Sequence, residues 1–185
     1  MNTIKIQPPL RDEEVSLLKI GTKVLITGTI YTARDAAHQK LVTLLKEGKP
    51  LPFDLQGQII YYVGPAPAKP GQIIGSAGPT TSSRMDVYTP ALLKAGLKGM
   101  IGKGMRADYV REAIKEYKAV YMAALGGAAV LMAKSIKKVE VLAYPELGTE
   151  AIHRLEVQDL PAIVVNDCFG GDLYLEGVKK YCSLK

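Results

Sequence analysis

The chain has 185 residues, 24 Lys and Arg against 18 Asp and Glu for a formal net charge of +6, 48% hydrophobic residues and no Trp. That length suffices for a domain whose core needs no disulfide or metal as scaffolding, and Cys168 and Cys182 are too few and too far apart for a zinc finger or ribbon. Positive residues are dispersed, with Lys137-Lys138 and Lys179-Lys180 the only adjacent pairs, so the charge argues for a small anionic ligand or a solvated lysine face and against a nucleic-acid groove.

Residues 1–20 read as a lead-in to a single domain spanning 1–185. The opening Met1-Asn2-Thr3-Ile4-Lys5 carries no signal-peptide pattern, which sets the expectation of a cytoplasmic protein with reduced thiols. Lys23 to Tyr31 is rich in β-branched residues and is predicted as a strand, with Gly28 marking a bend or a close approach. A helix follows over Asp35 to Glu47, where Ala37, Leu41, Leu44 and Leu45 share one face, and Gly48 and Pro50 stop it. Gln58 to Val63 is predicted as a strand, the prolines at 65, 67 and 70 as a rigid connection, and Gln72 to Ala77 as another short strand. Asp86 or Thr89 is a candidate cap for a helix reaching Leu93 and Lys94. Strand Lys98–Ile101, helix Ala107–Tyr117, strand Ala119–Leu125, helix Ala128–Ile136 and strand Val139–Leu142 continue the alternation. The apolar run Val120 to Ala133, broken at Gly126-Gly127, is too short to span a bilayer. Ile152–Val157 and Ala162–Asn166 read as two further strands, and the tail from Gly170 gives no clear pattern. Alternating strands and helices predict an α/β fold with a mixed, largely parallel sheet.

Three polar segments lie beside predicted strands: Thr32 to His38, Gly78 to Asp86, and Gly102-Lys103-Gly104. Ligands of α/β proteins gather where strand ends meet helix starts. Arg34, Arg84 and Lys103 would bring three positive charges there, enough to hold a molecule with two carboxylates, and an Arg fork matches a carboxylate bidentately. The plainer alternative has Arg34 paired near Asp35 and Arg84 paired with Asp86. Gly78-Pro79-Thr80-Thr81-Ser82-Ser83 combines backbone amides with four hydroxyls that could cradle an anion or simply brace a turn. It lacks the spacing of a P-loop or a dinucleotide fingerprint. His38 shares a helical face with Arg34, and His153 reads as strand structure. Cys168 reads as buried rather than nucleophilic. Asp35 and Asp167 are candidate acids without a mate at a two-carboxylate spacing. No metal-ligand pattern is present, so the chain is expected to bind no metal itself.

Taken together, Gly28 to His38, Tyr62-Val63-Gly64-Pro65, Gly75 to Asp86 and Met100-Ile101-Gly102-Lys103-Gly104 resemble the beta subunit, or C-terminal domain, of class I fumarate hydratases and L-tartrate dehydratases. The likeness extends through Ala124 to Ala129 and the Val164-Asn166-Asp167 region. It implies a swivelling β/β/α domain with helices flanking the sheet. It also implies a partner alpha subunit holding a [4Fe–4S] cluster on three cysteines, with one iron open to substrate. On that resemblance Arg34, Arg84 and Lys103 hold the carboxylates of a C4 dicarboxylate, Thr80 and Thr81 touch it, and Thr80 is the proton acceptor. The implied activity is hydration of fumarate to malate and its reverse, in an assembly such as a heterotetramer. L-tartrate is the alternative substrate, and a non-catalytic anion-binding or assembly subunit is the alternative of a different class.

Overall fold

The computed structural model describes residues 3–124 and 129–182. Strands β1 (Thr3–Ile6), β2 (Lys23–Thr32), β3 (Ile59–Tyr61), β4 (Gly99–Gly102), β5 (Val120–Ala123), β6 (Ile136–Ala143) and β7 (Ile152–Asn166) form one sheet. Helices α1 (Asp12–Ser16), α2 (Asp35–Lys46), α3 (Thr89–Lys94), α4 (Asp108–Glu116), α5 (Ala129–Ser135) and α6 (Leu173–Cys182) flank it, with short 3-10 segments over Ser82–Met85 and Pro145–Glu150. This is the α/β class with a mixed sheet that the sequence leads one to expect. Among the described residues, no helix is long and apolar enough to cross a membrane.

Strand order is β1-β2-β3-β4-β5-β7-β6, and β7 pairs with β2 as well as β5. Neighbours from β1 to β5 run parallel, whereas β7 is antiparallel to β2, β5 and β6. The double pairing of β7 closes β2, β3, β4, β5 and β7 into a barrel-like ring. Closure removes the edges those strands would otherwise expose.

Period-two alternation divides the core into two layers. Ile59, Tyr61 and Val63, with Ile101, Val120, Met122, Leu155 and Val164, belong to one apolar cluster. Ile60, Tyr62, Met100 and Tyr121 face the other way and pack with Leu41 of α2, Leu92 of α3 and Ile114 of α4. Ile6, Leu10, Val15 and Leu18 from the first twenty residues are buried in the first cluster.

Four local expectations are corrected. Gln72–Ala77 is not a strand: its backbone meets the proline segment only through Gly75 N–H to Ala66 O (3.1 Å), Ala66 N–H to Ser76 O (3.0 Å) and the local turn bond Gln72 N–H to Lys69 O (2.9 Å). Prolines at 65, 67 and 70 have no N–H to extend the ladder. The two C-terminal strands are one, β7, because the chain passes the bulge at Asp159 (φ 49°) with the Thr27 hydroxyl accepting the Asp159 N–H, and pairing to β2 resumes at Leu160. The tail is helical, with Asp172 Oδ1 capping it by accepting the N–H groups of Tyr174 and Leu175. Neither Asp86 nor Thr89 caps α3, whose N-cap is Tyr88 with no side-chain bond. Leu125 to Ala128, including the expected helix start at Ala128 and Gly126-Gly127, lie outside the described residues.

Leu155 sits on β7 opposite Ile30 of β2 and Val139 of β6, fully buried. Leu155→Ala is expected to lower the unfolding free energy by about 3 kcal/mol in urea titration. Leu17→Ala, at a position 65% exposed, should change it by less than about 0.5 kcal/mol.

Candidate active site

Register places the candidate residues. Thr32 pairs with Tyr61, and Tyr61 with Ile101, across three parallel strands. Continued by two residues, the same register sets Arg34 and Lys103 at one height at the strands' C-terminal ends, which is where α/β proteins bind ligands. β3 leaves the sheet there: Val63 N–H bonds back to Tyr61 O at 2.9 Å. The strand position it gives up is taken by the hydroxyl segment. Thr80 N–H donates to Tyr62 O (2.7 Å), Lys103 N–H donates to Thr80 O (3.3 Å), and Ser82 N–H donates to Lys103 O (2.9 Å). Thr81 and Lys103 thus form a parallel bridge.

Side chains fasten the same two segments from below. Ser82 Oγ and Tyr121 Oη are 2.9 Å apart, and the Tyr121 hydroxyl donates to Gly104 O at 2.8 Å. Asp86 accepts Arg106 Nε–H at 2.7 Å and the Ala107 N–H at 2.9 Å. Arg106 also donates to Thr89 Oγ1 at 2.7 Å, and its guanidinium lies over the Tyr62 and Tyr121 rings. A Cβ on Gly102 would overlap the Ser82 hydroxyl and come within 2.9 Å of the Tyr62 ring, so this close stacking requires glycine.

Arg34 and Arg84 meet through Asp35. Arg84 Nε donates to Asp35 Oδ1 at 2.8 Å, and Arg34 Nη2 lies 3.7 Å from Asp35 Oδ2. Arg34 Nη2 also pairs with Glu150 Oε1 at 3.3 Å, while Glu150 Oε2 accepts the Ala36 N–H at the start of α2. Arg34 rests against Gly64, where a Cβ would come 3.0 Å from its Nη1. Arg84 therefore pairs with Asp35 and not with Asp86, whose carboxylate is spent on Arg106. Arg84, Thr81 and Lys103 are exposed, and Thr80 and Arg34 are partly so.

The first turn of α2 carries buried polar atoms with no hydrogen-bond partner: Arg34 Nε, Asp35 Oδ2 and His38 Nε2. His38 is fully buried. Its Nδ1 is 2.9 Å from Arg34 O, and its ring meets Tyr62 edge-on. Burial above all, with Arg106 nearby, moves its pKa from 6.5 down to about 4. His153 is strand structure on β7, bonded to Thr32. Asp167 is a turn brace that accepts the N–H groups of Ile20, Phe169 and Gly171. Cys168 is buried, and burial raises its thiol pKa. Arg106, Glu150 and Tyr121 are the residues that sequence reasoning missed. Of these only Arg106 carries a sequence signal, a charge lying just past Lys103 as Asp86 lies just past Arg84.

The model of the Fumarase C-terminus family matches residues 1–177. The chain belongs to this family. It is 40% identical over 184 residues to the anaerobic class I fumarate hydratase of Escherichia coli (strain K12), covering 97% of this chain and 34% of that one. It is 42% identical over 164 residues to fumarate hydratase 2 of Leishmania major, covering 88% and 29%. Against a chain of Methanocaldococcus jannaschii named for the beta subunit of L(+)-tartrate dehydratase it is 41% identical over 177 residues, covering 92% of this chain and 91% of that one. The family member described here thus spans about a third of the length of the fumarate hydratases it matches.

Arg106 has a side chain with no solvent exposure. Arg106→Met leaves Asp86 buried without a counter-charge and should cost about 3–5 kcal/mol of stability, most of it recovered in the Arg106→Met/Asp86→Asn double variant, as read by thermal and urea unfolding. His38 resists protonation when folded, whereas the unfolded chain takes up that proton near 6.5. Its contribution is intact above about pH 6.5 and is lost as pH falls toward 4, with a limiting slope of about 1.4 kcal/mol per pH unit. Urea titrations between pH 7 and 4.5 should show a shallower slope for His38→Gln than for the wild type.

Proposed function

We propose that this chain is the substrate-gripping part of a hydro-lyase that interconverts malate with fumarate and water, acting together with a separate alpha chain. The observation that carries the reading is the convergence of Arg34, Arg84, Lys103, Thr80 and Thr81 at the C-terminal ends of neighbouring parallel strands. The names of the fumarate hydratases it matches support the reaction type. The name of the subunit-sized relative from Methanocaldococcus jannaschii supports a separate partner, and the reading takes their assembly to be a heterotetramer.

The [4Fe–4S] cluster implied by the family resemblance does not fit the residues of this chain. Cys168 is buried, Cys182 is exposed on α6, and the described residues contain no group of three His, Cys, Asp or Glu that could hold a metal. The reading assigns the cluster to the alpha chain. The residues here bind and orient. Arg34 and Arg84 offer forked donors to one carboxylate, and Lys103 offers a point charge to the other. Loss of the proton beside a carboxylate spreads a second negative charge onto that group. Cations already fixed in place stabilise it without reorganising. Both backbone groups of Thr80 are committed, its N–H to Tyr62 and its C=O to Lys103, so what it offers substrate is its hydroxyl. As the proton acceptor, that neutral hydroxyl needs a second group to draw its own proton away.

L-tartrate is the second reading, favoured by the name of the relative matched over nearly its whole length. A dedicated polar group can discriminate strongly for or against one extra hydroxyl. Anaerobic reconstitution with the cognate alpha chain, assayed with fumarate, malate and tartrate, separates the two. Fumarate and malate turnover is expected, and the small chain alone should be inactive. Turnover by the small chain alone, or by neither preparation, overturns the proposal. In the assembled enzyme Arg84→Ala should lower kcat/KM by roughly 100-fold or more. Its melting temperature should hardly change, because the side chain is 52% exposed.

A further inference from the structure

Asp35 lies between the two arginines of the site, at the start of α2. A carboxylate so placed could be a competitor, occupying donors that a substrate must win back. It could instead be a brace that aligns them. At Arg84, which nitrogen it touches separates the two, and at Arg34 the separation is too long for a hydrogen bond. Asp35 Oδ1 takes its 2.8 Å bond from Arg84 Nε, at the root of the guanidinium, and leaves the two terminal nitrogens as a fork. Its other oxygen, buried and without a hydrogen bond, lies 3.7 Å from Arg34 Nη2. Glu150 holds the same Arg34 nitrogen from a different element, at 3.3 Å. Arg34 and Asp35 are mostly buried, with side chains 20% and 28% exposed, so this contact is not a loose surface pair.

We infer that Asp35 is a positioning residue, whose carboxylate joins Arg34 and Arg84 into one clamp for a single carboxylate of the substrate. The inference rests on the dicarboxylate reading above and adds a residue to it. It makes a prediction opposite in sign to that of charge alone. Removing Asp35 makes the site more positive by one unit, and Coulomb attraction by itself would then tighten anion binding. Loss of the brace releases two flexible side chains whose ordering must be restored on binding, and so loosens it.

The test uses the enzyme assembled with its alpha chain and succinate, a C4 dicarboxylate that cannot be dehydrated, with binding read by calorimetry. Asp35→Ala is expected to raise the succinate Kd by about tenfold or more at a nearly unchanged melting temperature. Glu146→Gln removes a negative charge that pairs with Lys40, away from both arginines, and should leave Kd equal or lower. Asp35→Asn keeps an acceptor for Arg84 Nε but turns an amide toward Arg34, so its Kd should rise by less. It also serves if Asp35→Ala fails to assemble. A Kd in either Asp35 variant that is unchanged or lower than wild type overturns the inference while the dicarboxylate reading stands. Wild-type enzyme that neither binds succinate nor turns over any C4 dicarboxylate overturns both.

Discussion

Where β3 turns away at Val63, β4 is left with backbone groups that need partners, and the Thr80–Ser82 segment supplies them. This substitution makes the rest of the site possible. A loop carrying hydroxyls would normally ride on the surface with its backbone solvated. Here it is laid into the sheet as if it were a strand, so the position of Thr80 and Thr81 relative to Lys103 is set by ladder geometry. Gly102 permits the approach from beneath, and the Ser82–Tyr121–Gly104 chain of hydroxyl contacts holds it.

The two halves of the site are held by different physics. Under the hydroxyl segment lies a buried polar layer in which Asp86, Arg106 and Thr89 satisfy one another and two tyrosine rings flank the guanidinium. Such a layer gains little net stability from its charges, because desolvation consumes most of the attraction. What it gains is a single arrangement. The Arg34 half is closer to solvent and is held by the carboxylates of Asp35 and Glu150. A buried polar floor under Thr80, Thr81 and Lys103 therefore faces a pair of arginines joined through Asp35.

Local chemistry in the sequence made much of this legible. The β-branched run of β2, the leucine face of α2 and the Gly-Lys-Gly turn after β4 each carry their signal within a few residues. The motifs at Arg34, Arg84 and Lys103 stand out for the same reason, and parallel register then brings their strands side by side. Missing from the sequence were features decided at long range. β7 reads as two strands because Pro161 and the bulge at Asp159 interrupt its pattern, and only pairing with β2 joins them. Gln72–Ala77 has strand composition but meets prolines where it needs donors. Arg106 and Glu150 are ordinary charged residues in sequence, and their roles come from carboxylates and amides contributed by other elements. His38 reads as a helix residue sharing a face with Arg34, and its burial comes from other elements, with Tyr62 and Tyr88 beside its ring.

A methyl group on Gly64 would come within 3.0 Å of both Arg34 Nη1 and the Thr149 carbonyl oxygen, tighter than ordinary contact. The depth at which that guanidinium sits is thus measured by bare backbone. Gly64 thus acts as a spacer for the Arg34 side chain. Any enlargement there would displace the arginine while leaving Arg34, Asp35 and Glu150 themselves unchanged.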